Sequence, residues 1–203
     1  MRVIAGIYRS RILKSLKGLA LRPTSDRLRE TLFNVLAPNI AGSRFVDLFA
    51  GTGAIGIEAL SRGAAEVVFI ENHPPAVTLI RRNLESLGIN SGVTVLAVDA
   101  LRGLAMLAAR KNSGAPAFDH VFLDPPYAAA EDYSRVLEFL GSADLLTPGG
   151  IVIAEHRRNF DLPEKPGALR RFRVLRQGDA ALSFYRRHGD AGGETNGKNN
   201  SAE

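Results

Sequence analysis

The 203-residue sequence contains no cysteine and no tryptophan. Without cysteine there can be no disulfide, no thiolate metal site and no cysteine nucleophile, and the absence fits a cytoplasmic protein. Histidine is scarce. His73, His120, His156 and His188 are scattered without metal-ligand spacing and read as ordinary surface or strand residues, so no metal is expected. No apolar run approaches the length of a membrane span, and Met1 leads into no apolar signal segment, so no membrane association is expected. Ser10, Ser61 and Ser134 lack a nucleophile-elbow context. No internal repeat is visible.

What is present is a hydrophobic fraction of 45%, enough for a sizeable core, and a net charge of +5 with a pI near 9.9. A basic balance suggests a polyanionic partner. The excess is local. Residues 1–30 carry eight basic groups (Arg2, Arg9, Arg11, Lys14, Lys17, Arg22, Arg27 and Arg29) against two acids, Asp26 and Glu30. The other 173 residues carry 18 basic and 19 acidic groups. This N-terminal segment is either a solvated basic arm or, as we favour, a docking surface for phosphates, with Arg2, Arg9, Arg11, Lys14, Arg22 and Arg29 as its contacts.

From residue 44 to 156 short apolar strands alternate with longer helical patterns. Expected strands are Phe45–Phe49, Val67–Glu71, Val93–Val98, His120–Leu123 and Ile151–Glu155. Expected helices are Gly53–Arg62, Pro74–Leu87, Ala100–Arg110 and Asp132–Leu140. Such alternation implies an α/β fold with a parallel sheet covered on both faces, binding ligands beyond the carboxyl ends of its strands. Phe172–Arg176 and Leu182–Arg186 flank Gln177-Gly178-Asp179 and read as an antiparallel hairpin. The N-terminus also reads as a hairpin, Arg2–Ala5 and Arg11–Leu16 around a turn near Gly6. A helix then runs to about Leu36, capped by Thr24, Ser25 or Asp26 and apolar along Leu28, Leu32, Phe33 and Leu36. Three parts follow: a basic extension over 1–40, the main domain over 41–188, and a tail over 189–203 with little to bury and expected to be disordered.

The segment Phe45-Val-Asp47-Leu-Phe49-Ala50-Gly51-Thr-Gly53-Ala-Ile-Gly56 reads as strand, tight turn and helix start. Its glycines allow a sharp turn and close backbone approach to a ligand. Gly51-x-Gly53-x-x-Gly56 matches a dinucleotide fingerprint as well as a methyl-donor loop. Asp47 disfavours a pyrophosphate and suits a cationic ligand end, such as the amino acid moiety or sulfonium of S-adenosylmethionine. Glu71, with Asn72 beside it, ends the next strand, where a carboxylate can hold ribose hydroxyls. Asp99-Ala100 follows the third strand. Asp99 can take the adenine amino group, cap the next helix, or do both.

The fourth strand runs into Asp124-Pro125-Pro126-Tyr127. Two prolines fix their own φ and donate nothing. Asp124 and the Pro125 carbonyl therefore present two acceptors to a planar amino group, which has two N–H donors. Engaging both would localise the nitrogen lone pair toward an incoming methyl group, and Tyr127 can stack on the base. A sulfonium is already activated, so alignment is the main demand. A base within a helix must leave its stack to arrive here.

Arg2-Val-Ile-Ala-Gly6 with Tyr8-Arg9, the block Leu21–Asn34 (LRPTSDRLRETLFN), Asp47–Gly53, Glu58–Gly63, Leu123–Tyr127 and Gln177-Gly-Asp179 together resemble the RsmD family over roughly residues 1–187. The resemblance implies a seven-stranded, Rossmann-like class I methyltransferase sheet with an added N-terminal hairpin. It implies S-adenosylmethionine-dependent methylation of N2 of a guanine (the guanine-966 type) in 16S rRNA, using 30S particles. A monomer is expected. By position it places the donor on Asp47, Phe49, Ala50, Gly51, Gly53, Glu71, Asn72, Asp99 and Ala100. It places the guanine on Asp124, Pro125, Pro126 and Tyr127, and Thr24, Arg29 and Glu30 near donor or target.

Alternatives from the residues alone are a DNA adenine or cytosine amino methyltransferase, a protein-amide methyltransferase, a NAD-linked oxidoreductase, or an RNA-binding assembly factor without turnover. Size disfavours the first, since no separate target-recognition domain fits after residue 156. Arg157-Arg158 and Arg170-Arg171 either extend an RNA surface or form a solvated face beside Asp161 and Glu164.

Overall fold

The structure is a computed structural model that describes residues 1–15, 24–126 and 130–189. The tail after Gly189 lies outside the described residues, as do Leu16, Arg22 and Tyr127.

Helix α1 spans Asp26–Leu36, and the Ser25 hydroxyl caps it by accepting from the Leu28 N–H at 3.1 Å. Its apolar stripe, Leu28, Leu32, Phe33 and Leu36, is buried. A 3-10 turn, Ala37–Asn39, follows and leads to β1, Arg44–Leu48. Then come α2 (Ala54–Ser61), β2 (Glu66–Ile70), α3 (Pro74–Ser86), β3 (Val93–Leu96), α4 (Ala100–Asn112), β4 (Phe118–Leu123), α5 (Ala130–Ser142) and β5 (Leu146–Arg157). Strands β6 (Leu169–Gln177) and β7 (Ala180–Arg187) complete the described chain.

The seven strands lie in the order β3-β2-β1-β4-β5-β7-β6. Strands β1 to β5 pair in parallel, and β7 inserts antiparallel between β5 and β6. This is the expected mixed sheet. Each helix crossover buries apolar side chains against it, in two separate cores. Phe45, Phe69, Phe122 and Ile153 pack with residues of α1, α2 and α3 on one face, and Val46, Val68, Val121 and Val152 with α4 and α5 on the other. The strand order reverses between β1 and β4, so the crevice for a ligand opens beyond the carboxyl ends of those two strands.

Most bounds agree to within two or three residues, and two elements differ further from the sequence expectation. Strand β5 starts at Leu146, not Ile151, although Pro148-Gly149-Gly150 reads as a stop. Phe118 pairs with Leu146 and His120 with Ile151, so the register shifts between them and the Pro-Gly segment is carried as an irregularity. The N-terminal hairpin is reduced to a single antiparallel bridge, Arg2 with Ile12. Backbone bonds still join its two arms, from the Val3 N–H to the Arg11 carbonyl, the Ser10 N–H to the Val3 carbonyl and the Leu13 N–H to the Met1 carbonyl, and further N–H groups of the arm go to α2. The Ile4 and Ala5 N–H groups donate to the Glu58 carboxylate at 2.8 and 3.0 Å, and the Ile7 and Tyr8 N–H groups donate to Ser61. The arm is thus stitched to α2, and Gly6 (φ +82°) passes so close to the Ser61 carbonyl that no Cβ fits.

Candidate active site

The chain leaves β1 through a tight loop. Phe49 takes a left-handed φ of 57°, and Gly51 and Gly53 follow at 53° and 76°. A left-handed phenylalanine costs on the order of 1 kcal/mol or more and persists only where its surroundings hold it. Gly53 caps α2, and Gly56 in the first turn lets the helix sit directly on β2, since a Cβ there would lie 2.3 Å from the Phe69 ring. The three glycines of the motif therefore act differently: two turn the chain and one permits close packing.

Asp47 is buried beneath this loop and accepts from the Gly56 N–H at 2.9 Å. Glu71, just past β2, accepts from the Gly51 N–H at 2.8 Å through one oxygen and from the His73 N–H at 2.8 Å through the other. The loop and the carboxylate thus hold each other in place, and each oxygen retains a lone pair for a hydroxyl donor. Asn72 is exposed beside it. Asp99, three residues past β3, caps α4 by accepting from the Arg102 N–H at 2.9 Å, and Ala100 is buried.

Across the switch point, β4 delivers Asp124 into the same cleft, whose lining includes Met1, Thr24, Asp47, Phe49, Ala50, Gly51, Phe122 and Asp124. Pro125 is buried and Pro126 exposed. Leu123 pairs with Ala154, so Asp124 and Glu155 stand one step further along neighbouring strands, on the same side of the sheet. Thr24, in the segment before α1, donates its hydroxyl to Glu155 at 2.7 Å. Asp47, Asp124 and Glu155 form a carboxylate cluster sunk into the cleft. Burial pushes the Asp47 carboxyl up to about 8, aided by the charge of Glu71 and opposed by the Gly56 N–H. Burial, then the charges of Glu155 and Asp47, hold Asp124 well above the usual carboxylate range.

The structure thus gathers Asp47, Phe49, Ala50, Gly51 and Asp124 around one cleft, with Glu71 bonded to its loop. The sequence pattern did not single out Glu155. The available signal was its alternation phase, since it lies near the end of β5 on the same face as Asp124. The basic residues divide. Arg2, Arg9, Arg11 and Lys14 are exposed along the arm. Arg29 corrects the expectation of a phosphate contact. It is fully buried, its Nη2 donates to the Arg2 carbonyl at 2.6 Å and to Asp26 at 2.9 Å, and its Nε lies 3.9 Å from Glu58. The two carboxylates and the arm's backbone take up the charge, and α1 packs over it. Among the described residues there is no cluster suited to a metal ion, and no helix is long and apolar enough to cross a membrane.

A doubly wound sheet with this strand order, a glycine turn over a buried aspartate and an Asp-Pro-Pro exit from β4 together define the class I fold of S-adenosylmethionine-dependent methyltransferases. The chain belongs to the family described as Conserved hypothetical protein 95, whose model matches residues 1–186. It is 34% identical over 197 residues to "Ribosomal RNA small subunit methyltransferase D" of Escherichia coli strain K12, covering 96% of this chain and 93% of that one. The solved structure of hypothetical protein TTHA0928 from Thermus thermophilus superposes with a TM-score of 0.76 at 30% identity, over 91% and 98% of the two chains. A more distant likeness in fold, at 15% identity and a TM-score of 0.63 over 77% of this chain and 48% of the other, is to SMU.776, solved in complex with SAH.

Proposed function

We propose that this protein transfers a methyl group from S-adenosylmethionine to the exocyclic N2 of a guanine in 16S rRNA, acting as a monomer on the 30S particle in the cytoplasm. The observation that carries the reading is the placement of Asp124 in the lining of the cleft that holds Asp47 and the glycine turn. The relative named as a small-subunit rRNA methyltransferase supports the acceptor class.

The residues present fit the donor. The buried, proton-holding Asp47 suits a cationic group, Glu71 has lone pairs for ribose hydroxyls, and the turn has no side chain at Gly51 and Gly53 to obstruct close approach. Asp99 and Ala100 lie at the neighbouring strand end for the adenine. When bound, S-adenosylmethionine supplies a methyl group on a sulfonium, which needs alignment more than activation. Asp124 and the Pro125 carbonyl accept from the two N–H groups of the guanine amine and aim its lone pair. Asp124 is also placed to take the proton released as the new N–C bond forms, in the ionised form that a cationic donor in the same cleft favours. Tyr127, outside the described residues, is assigned to stack on the base. Arg2, Arg9, Arg11, Lys14 and Arg22 hold the RNA backbone.

The test is incubation with labelled S-adenosylmethionine and 30S subunits from a strain lacking the activity, followed by digestion to nucleosides. N2-methylguanosine is expected. Label entering DNA or protein, with none in RNA, would overturn the acceptor assignment.

A further inference from the structure

Of the two arginine pairs near the end of the chain, one is consumed by the fold. Arg171 donates to the Leu162 carbonyl at 2.9 Å and pairs with Asp161 and Glu164 at 3.4 and 3.3 Å, and Arg170 donates to the Leu169 and Gly167 carbonyls. The other pair faces solvent. Arg157 and Arg158 are exposed where β5 ends, and with Asn159, Arg176 and Asp179 they line an open cleft of their own. Three guanidinium groups against one carboxylate leave this cleft cationic.

Its position gives the charge a use. Glu155 stands in the acceptor row beside Asp124, and Arg157 lies two residues further along the same strand, about 7 Å away at the rise of a β-strand. The cleft is therefore on the acceptor side of the active site, at the carboxyl edge of the sheet. It is also held firmly. The Arg158 N–H donates to the Asp179 carbonyl at 2.8 Å, which fixes the exit of β5 against the β6–β7 turn, and Thr31 on α1 donates to Gln177 of that turn at 3.0 Å. Arginine on a rigid frame suits phosphate, since its planar fork loses little freedom on binding.

We infer that the cleft of Arg157, Arg158 and Arg176 grips the RNA backbone phosphates that flank the extruded target nucleotide. It is a second docking point, separate from the N-terminal arm, and it rests on the reading of the protein as an RNA methyltransferase. The arm lies along α2 and holds the particle. This cleft holds the strand next to the flipped base and so sets which nucleotide faces Asp124.

The experiment compares wild type with R158E/R176E and with R110E/K111E, which makes the same charge change on α4. Affinity for 30S subunits and for a 16S rRNA fragment is measured by filter binding over a range of salt concentrations, alongside calorimetry with S-adenosylmethionine and methyl-transfer kinetics. R158E/R176E is expected to bind RNA at least tenfold more weakly, with a salt slope smaller by about 0.7–0.9 per lost phosphate contact, a raised KM for 30S and unchanged donor affinity. R110E/K111E is expected to stay near wild type. If both variants show the same affinity and slope, the clamp is wrong even where the wild type methylates RNA. If the wild type transfers no methyl group to RNA, the functional reading fails, and the clamp then stands or falls on the binding slope alone.

Discussion

The Thr24 hydroxyl donates to the Glu155 carboxylate at 2.7 Å, joining residues 131 positions apart. This bond ties the N-terminal extension to the last residues of β5, beside Asp124. A hydrogen bond to a charged, buried partner contributes about 1.5–3 kcal/mol. Glu155 in turn raises the proton affinity of Asp124. The extension thus also lines the cleft, through Met1 and Thr24.

Thr24→Val keeps the shape and removes the donor. Thermal melting is expected to show a loss of about 1.5–3 kcal/mol, and the methyl-transfer rate should fall with it. Thr24→Ser restores the hydroxyl and should recover most of both. If the valine variant melts and turns over like wild type, the bond has no part in holding the site.

Much of this arrangement is legible in the sequence. The alternation of apolar strands and helical stripes gives the parallel sheet, because each period reports burial on one face or two. Asp47, Glu71, Asp99 and Asp124 are visible because each lies at or just past the end of a strand, where the fold puts ligand groups. Glu155 escapes notice because its importance comes from its neighbour in the sheet, and register between distant strands is not written in local spacing. Arg29 misleads for a related reason. A helix of alternating charges and leucines looks solvent-facing at every charge, yet Arg29 sits one residue from Leu28 on the buried side, where Asp26 and Glu58 meet it. Pro148-Gly149 reads as a break, and only the shifted pairing with β4 shows that the strand carries through it.

Arg29→Ala distinguishes a strut from a docking residue. Removing one member of a buried ion pair leaves its partners uncompensated and costs about 3–5 kcal/mol. Glu58 still has Arg62, at 2.8 Å, and the Ile4 and Ala5 N–H groups, which places the loss toward the lower end. The melting temperature is expected to drop by several degrees. At a temperature where the variant is folded, the salt slope of RNA binding should equal that of wild type. A slope reduced by about 0.7–0.9 with stability intact would return Arg29 to the phosphate contacts.

Asp124→Ala removes the carboxyl proposed to accept from the target amine. Methyl transfer should fall by a factor of at least about 100, the lower range for loss of a positioned acid–base group. Donor affinity, measured by calorimetry, should stay within a few fold of wild type, since Asp47, Glu71 and the glycine turn are untouched. An equal loss of donor binding would mean that Asp124 holds the donor and not the acceptor.

The carboxyl of Asp47, pushed up to about 8, makes two linked pH effects. Its ordinary value is near 3.8, so the folded protein without ligand binds a proton that the unfolded chain releases. The stability this contributes is whole below about pH 4 and is lost as pH rises toward 8. Asp124, raised for the same reason, adds in the same direction. Asp47→Asn keeps an acceptor for the Gly56 N–H and has no charge to bury, so it should flatten the decline in melting temperature between pH 5 and 8. A cationic ligand reverses the balance. Placed over Asp47, it favours the ionised form, so binding at pH 7 should expel a proton and affinity should rise toward pH 8. Calorimetry of S-adenosylmethionine binding in buffers of different ionisation enthalpy reads that proton directly. An identical heat in every buffer, with the same affinity at pH 6 and pH 8, would show that the donor's charge does not face Asp47.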